Sequence, residues 1–161
     1  MKIVLLFPGK PRPAELVAAI DEYFVRLKRL GPFELEVVRE EKIDSRPQDE
    51  IKRAEATRLL RLIKSDDWLV VCDERGRMVR TDDLVSLLRN ALGGGGEMSG
   101  KRRLVIVIGG ALGVAPELLA RANATWSLSG LTLAGSIARV TLLEGLYRAM
   151  TLIKGHPYHN A

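Results

Sequence analysis

Val105-Ile106-Val107-Ile108-Gly109-Gly110-Ala111-Leu112-Gly113 decides how this chain is built. Four β-branched residues stopping at paired glycines read as a strand of a parallel sheet, buried on both faces. The glycines carry no Cβ, so the loop after the strand lets a ligand approach backbone; the same spacing also serves a tight strand-to-helix turn with no ligand. The loop lacks the glycine spacing and the downstream acid of a dinucleotide fingerprint, which disfavours NAD.

Outward from this strand, apolar runs alternate with helical patterns. Strands are predicted over 2–7, 33–38, 68–72, 104–108 and 124–128. Helices are predicted over 13–30, 47–63, 84–92, from 116, and over 137–153. That alternation predicts an α/β fold, a mostly parallel sheet with helices on both faces, in one domain over residues 1–161. In such sheets ligands sit at the carboxyl ends of strands. Three loops qualify here, 73–76, 109–113 and 129–134, provided their strands are neighbours. The third loop belongs to Trp126-Ser127-Leu128-Ser129-Gly130-Leu131-Thr132-Leu133, where hydroxyls alternate with leucines. Free N–H groups and hydroxyls beside apolar walls suit a flat, polar-edged ring such as an adenosine.

Two other patterns carry less. Residues 95–101 match the spacing of a phosphate-binding loop through Lys101, but Arg102 stands where Ser or Thr would hold Mg²⁺, and the segment precedes a strand rather than following one. A flexible glycine linker is the reading adopted. His156-x-x-His159 is half of a metal site, yet the chain holds two histidines and one cysteine, so no metal is expected.

The composition agrees with a globular cytoplasmic protein. Lys and Arg number 25 against 20 Asp and Glu, a net charge of +5, mild enough to suit RNA phosphate or merely solvated helix faces. The lone Cys72 reads as a core residue in a reducing compartment. The first seven residues are too short an apolar run for a signal peptide or a membrane span. Aromatic residues are few, at 5%, and no stacking platform for bases is apparent.

Taken in order, I-G-G-x-x-G at 108–113, W-S-L-S-x-L-T-L at 126–133, A-R-V-x-L-x-E-x-L-Y-R-A at 138–149 and H-P-Y-H at 156–159 resemble the small bacterial SPOUT methyltransferases of the RlmH type, with support from 32–35 and 69–76. Those enzymes methylate N3 of a pseudouridine in large-subunit (23S) ribosomal RNA. The resemblance covers essentially the whole chain. It implies S-adenosylmethionine as methyl donor, a C-terminal trefoil knot, a homodimer and ribosomal RNA, on the ribosome, as partner. It implies cofactor contacts from Cys72, Asp73, Gly109, Gly110, Ser129, Gly130, Leu131, Thr132, Leu133 and Ala134. Catalytic roles fall to Arg148 on the last helix and to Tyr158 and His159 on a tail that closes over the partner subunit's pocket.

The chain departs from the family pattern at Ala111-Leu112, where a polar pair such as Pro-Glu is common, at Ala134-Gly135 in place of Pro-His, and at Asn160 in place of Arg. A catalytically weak or inactive dimer that binds RNA or the ribosome is therefore the alternative. Taken without the resemblance, the tail reads as disordered, and Arg148 as the partner of Glu144 in an i,i+4 surface pair. The helix over 137–153 has a wide apolar arc, which suggests a second packing partner, expected to be another copy of the chain.

Overall fold

In a computed structural model, which describes the backbone of residues 1–160 and the side chains of residues 1–158, all the expected elements are present. The strands are β1 (Lys2–Pro8), β2 (Phe33–Val38), β3 (Asp67–Met78), β4 (Arg103–Ile108) and β5 (Ala124–Ser127). The helices are α1 (Ala14–Leu30), α2 (Gln48–Leu62), α3 (Thr81–Gly93), α4 (Pro116–Arg121) and α5 (Gly135–Lys154). All strands pair in parallel, in the order β2-β1-β4-β3-β5.

Alternation along the strands builds two cores. Ile3, Leu5 and Phe7 of β1 and Leu104, Ile106 and Ile108 of β4 face Leu27, Leu88 and Leu143 of α1, α3 and α5. Val4, Leu6, Val105 and Val107 face the opposite way, onto Leu59 of α2 and Leu118 of α4. Each such side chain contributes about 1.5–3 kcal/mol when fully withdrawn from water. At the start of β3, Asp67 is fully buried and takes two hydrogen bonds from Arg103, at 2.9 and 2.6 Å, and one from the Lys64 N–H at 2.8 Å. Burial works to raise its carboxyl, but those donors win and hold it below the usual aspartate range.

The structure departs from the sequence expectations in three places. α3 begins at Thr81, three residues ahead of its apolar pattern, because the Asp83 carboxylate accepts the Arg80 N–H at 2.7 Å and closes the first turn. Segment 95–101 is no free linker, since the 3-10 turn Gly96–Met98 is anchored by a buried Met98. The third departure concerns α5. Its Leu142, Leu143, Leu146 and Met150 are essentially fully buried within the chain, packed between α1, α3 and β4. That part of the wide apolar arc is consumed by the protein's own core, while Ile137 remains 39% exposed and Val140, Tyr147 and Ile153 are only partly buried. No described helix is long and apolar enough to cross a membrane.

Candidate functional site

β3 lies between β4 and β5, so the three segments do meet, although 73–76 is not the expected loop: β3 continues through it to Met78, with a register break between Cys72 and Arg77. They enclose a cavity of about 700 Å³ at the carboxyl edge of the sheet. All the expected cofactor contacts line it except Gly130. Cys72 sits at its base, where burial pushes the thiol up to about 12, so the sulfur is a neutral wall rather than a nucleophile.

The loop after β4 is shaped by two glycines for different reasons. Gly113 has φ +86°, and its N–H returns to the Gly110 carbonyl at 3.0 Å, closing a turn. Gly110 donates its N–H to Oε1 of Glu55 on α2, at 3.0 Å. A Cβ at 110 would stand 2.5 Å from both oxygens of that carboxylate. A side chain here would push the end of Glu55 aside and break its bond to the Gly110 N–H. Burial raises the Glu55 carboxyl above its usual value, against the opposing effect of the Gly110 and Glu41 N–H groups.

The hydroxyls of the β5 loop are not free, contrary to expectation. Ser127 donates to the Ser129 carbonyl at 2.8 Å, Ser129 Oγ accepts the Leu131 N–H at 2.9 Å, and Thr132 donates to Glu74 at 2.9 Å. They fold the loop, leaving Leu128, Leu131 and Leu133 as apolar wall, with Leu131 76% exposed at the mouth. Asp73 is likewise engaged. The Arg75 guanidinium forks onto it at 2.7 and 3.0 Å and holds its carboxyl below the usual range. Arg75 also reaches the Val114 carbonyl at 3.4 Å, linking β3 to the β4 loop.

Beneath the site lies Arg139, 6% exposed. It donates to the carbonyls of Pro8 and of Gly9, the latter at 2.8 Å, with its guanidinium 5.3 Å from the Phe7 ring centre. Desolvation pulls its pKa below the ordinary arginine value. A second cleft of about 730 Å³ adjoins the cavity, sharing Lys52 and the Ala111, Leu112 and Gly113 wall, and is lined by Arg39, Lys42, Glu41, Glu55 and Arg58.

The structure does not bring the tail to this cavity. Arg148 pairs with Glu144 at 2.8 Å, as its spacing implied, and its guanidinium lies 5.0 Å from the Tyr158 ring centre. Tyr158 packs edge-on against Tyr147 at 4.7 Å and hydrogen-bonds to Glu144 at 3.2 Å and to the Tyr23 hydroxyl at 3.3 Å. The tail is therefore docked through residue 158, not disordered, as the sequence alone would suggest. Ala138 is the last α5 residue on the cavity, and Arg148 lies ten residues on, about 15 Å along a helix rising 1.5 Å per residue. The side chain of His159 lies outside the described residues.

Comparison with known proteins identifies the family. Residues 1–159 match the family described as predicted SPOUT methyltransferase. The chain belongs to the SPOUT methyltransferase family. It is similar to the ribosomal RNA large subunit methyltransferase H of Syntrophotalea carbinolica, at 36% identity over 160 residues covering 99% of each chain. It is equally similar to the protein of that name in Geobacter metallireducens, at 36% over 161 residues and the full length of both. Among solved structures, a probable methylase family protein from Haemophilus influenzae shares the fold, with a TM-score of 0.51 at 14% identity, covering 95% of this chain and 66% of that one.

At the loop that departs from the family pattern at Ala111-Leu112, the nearest carboxylate to Gly110 is that of Glu55, from α2. Sequence reading missed Glu55, Lys52, Arg75 and Arg139. Arg75 had a local signal, standing two residues from Asp73. Glu55 had none, being 55 residues from its partner glycine and one acid among many on a charged helix.

Proposed function

We propose that the protein is a cytoplasmic homodimer that transfers a methyl group from S-adenosylmethionine to N3 of a pseudouridine in large-subunit ribosomal RNA. The convergence of the β4 and β5 loops and the irregular end of β3 on one cavity carries this reading, together with relatives named for that class of reaction. The same kinship supports the trefoil knot that the resemblance implies.

The cavity residues fit the donor. Its volume, about 700 Å³, lies in the range of cofactor sites. Leu128, Leu131 and Leu133 offer an apolar slot for an adenine, while loop backbone and the charged α2 edge offer polar contacts for the remainder. When bound, the cofactor supplies a methyl group on a sulfonium, activated for in-line attack.

The chain's own residues have three tasks: to hold two reactants in line, to remove or accept the loss of the imide proton, and to offset negative charge growing on the uracil oxygens. Arg148 suits the last. Its bond to Glu144 raises its pKa further, so it remains a cation. Tyr158 serves as a donor, because its bond with Tyr23, its burial and the Glu144 carboxylate all push its pKa upward and keep the phenol protonated. Neither group is a base at neutral pH. Proton removal is left to His159 or to solvent. Since Arg148 lies about 15 Å along α5 from cavity-lining Ala138, and Tyr158 packs against Arg148, Glu144 and Tyr147 rather than on the cavity, they act on the cavity of the partner subunit. Mass spectrometry of ribosomal RNA incubated with the protein and S-adenosylmethionine tests the activity: a methyl group on N3 of a pseudouridine is expected, whereas cofactor and RNA binding without transfer would favour the inactive alternative.

A further inference from the structure

The carboxyl edge of the sheet carries two adjoining depressions. The cavity lies over the ends of β4, β3 and β5; the second cleft, of about 730 Å³, lies between the loops that follow β1 and β2 and the facing side of α2. Lys52 and the turn of 111–113 form the wall common to both, so a chain that leaves the cavity on that side passes into the cleft.

The acids of the cleft are engaged, and its outer cations are not. Glu41 is held by Arg58 and by Arg46, the latter at 3.3 Å. Glu55 accepts the Gly110 N–H at 3.0 Å and the Glu41 N–H. Glu40 meets Arg12 loosely, at 3.6 Å, with both side chains more than half exposed. Arg39 and Lys42, by contrast, line the cleft from exposed positions, and among the described residues neither has a carboxylate within ion-pair distance. The loop that presents them is braced. Arg46 ties it by bonds to Asp44 at 2.9 Å and to the Lys42 carbonyl at 3.1 Å, and Arg58 donates to the Arg39 carbonyl from α2. A backbone fixed before the ligand arrives lowers the ordering entropy lost on binding.

We propose that this cleft holds phosphate groups of the RNA strand that carries the target nucleotide, with Arg39 and Lys42 as the contacts. This rests on the methyltransferase reading above. A base that reaches the methyl donor must enter the cavity, whereas the phosphodiesters beside it stay ionised and outside. The strand therefore needs a cationic surface next to the cavity, and the cleft supplies it. Contacts of this kind set the register of the strand and read no base.

The test compares the wild type with Arg39→Gln/Lys42→Gln and with a control, Arg29→Gln/Arg89→Gln. The control removes the same charge from exposed positions on α1 and α3, across the sheet from α2. Affinity for protein-free ribosomal RNA and for ribosomes is measured between about 50 and 200 mM salt, and affinity for S-adenosylmethionine by calorimetry. The cleft variant is expected to bind both RNA forms about tenfold or more weakly and to lower the slope of log affinity against log salt by about 1.4–1.8, at about 0.7–0.9 per phosphate contact. KM for ribosomes should rise, with kcat and cofactor affinity within about twofold of the wild type, because such binding is the same in ground and transition states. Melting curves establish folding, and should the double variant fail, Lys42→Gln alone makes the comparison with half the change in slope. An unchanged slope, or an equal change in the control, would overturn the inference and leave the methyltransferase reading standing. A loss confined to ribosomes would assign the cleft to an acidic protein surface, and saturable binding of inorganic phosphate with RNA affinity intact in the variant would assign it to a small anion; either overturns the inference. Wild-type protein that transfers no methyl group would overturn the methyltransferase reading, while the salt slopes would still decide the cleft.

Discussion

The distance of Arg148 and Tyr158 from their own cavity yields a quantitative prediction about shared sites. Ten residues of α5 separate Arg148 from cavity-lining Ala138, about 15 Å, longer than an arginine side chain can span, and Arg148 points instead to Glu144 and Tyr158. If each active site combines one subunit's cavity with the other's tail, two inactive variants should rescue each other. Ala134→Arg fills the cavity from an exposed position, and Arg148→Ala with Tyr158→Phe disarms the tail at a cost of about 2–4 kcal/mol, from the Tyr158 hydrogen bonds to Glu144 and Tyr23, one partly exposed ion pair and one cation–ring contact. In an equal mixture of the two, dissociated and reassembled, about half the dimers are mixed, and each holds one intact and one doubly damaged site, so about a quarter of wild-type activity should return. The assay is methyl transfer from labelled S-adenosylmethionine to ribosomal RNA, with light scattering to establish that both variants are dimers. Mixtures as inactive as their components, from folded dimers, would refute the shared site. So would a wild-type monomer at micromolar concentration.

Gly110→Ala should cost about 0.5–1.5 kcal/mol in chemical denaturation, because its Cβ meets the movable Glu55 carboxylate at 2.5 Å and turns it away from the Gly110 N–H; combined with Glu55→Ala the cost should fall short of the sum, and additivity would contradict the contact. Leu146→Asp should unfold the chain rather than yield a folded monomer, since the side chain is fully buried inside it, and a native circular dichroism spectrum would refute this. Arg139→Ala should cost about 2–4 kcal/mol by stranding the Pro8 and Gly9 carbonyls, and an unchanged melting curve would argue against their dependence on it. For pH, the folded Asp67 carboxyl lies below its ordinary value of 3.8, so its contribution is complete above that value and is lost as pH falls through the lower folded one. Asp67→Asn should therefore be less stable at neutral pH yet lose less stability on acidification, and parallel acid limbs for the two proteins would refute the assignment.

The sheet was legible because its information is local. A fully apolar run such as Val105 to Ile108, cut off by glycines, specifies a doubly covered parallel strand whatever its neighbours are. The cavity followed from chain order and the rule that ligands lie at strand ends. It became certain only with the strand order, which sets β3 between β4 and β5.

The partnerships of individual groups belonged to the tertiary structure alone. Ser127, Ser129 and Thr132 look like ligand contacts in sequence, yet Ser127 and Thr132 each spend their single donor within the protein, and Ser129 Oγ accepts the Leu131 N–H. The apolar arc of α5 looked like an interface because sequence records how wide a face is, not how many neighbours cover it, and here α1, α3 and β4 cover its Leu142, Leu143, Leu146 and Met150. Glu55 was invisible for the complementary reason. An acid on a charged helix has no local signature, and only the packing of α2 against the β4 loop, 55 residues away, turns it into the group that fixes Gly110 and faces the cavity wall. Periodicity and glycine placement fix elements and their ends because those depend on neighbours in sequence; which polar groups remain available for chemistry depends on contacts between distant segments, and only the folded chain decides it.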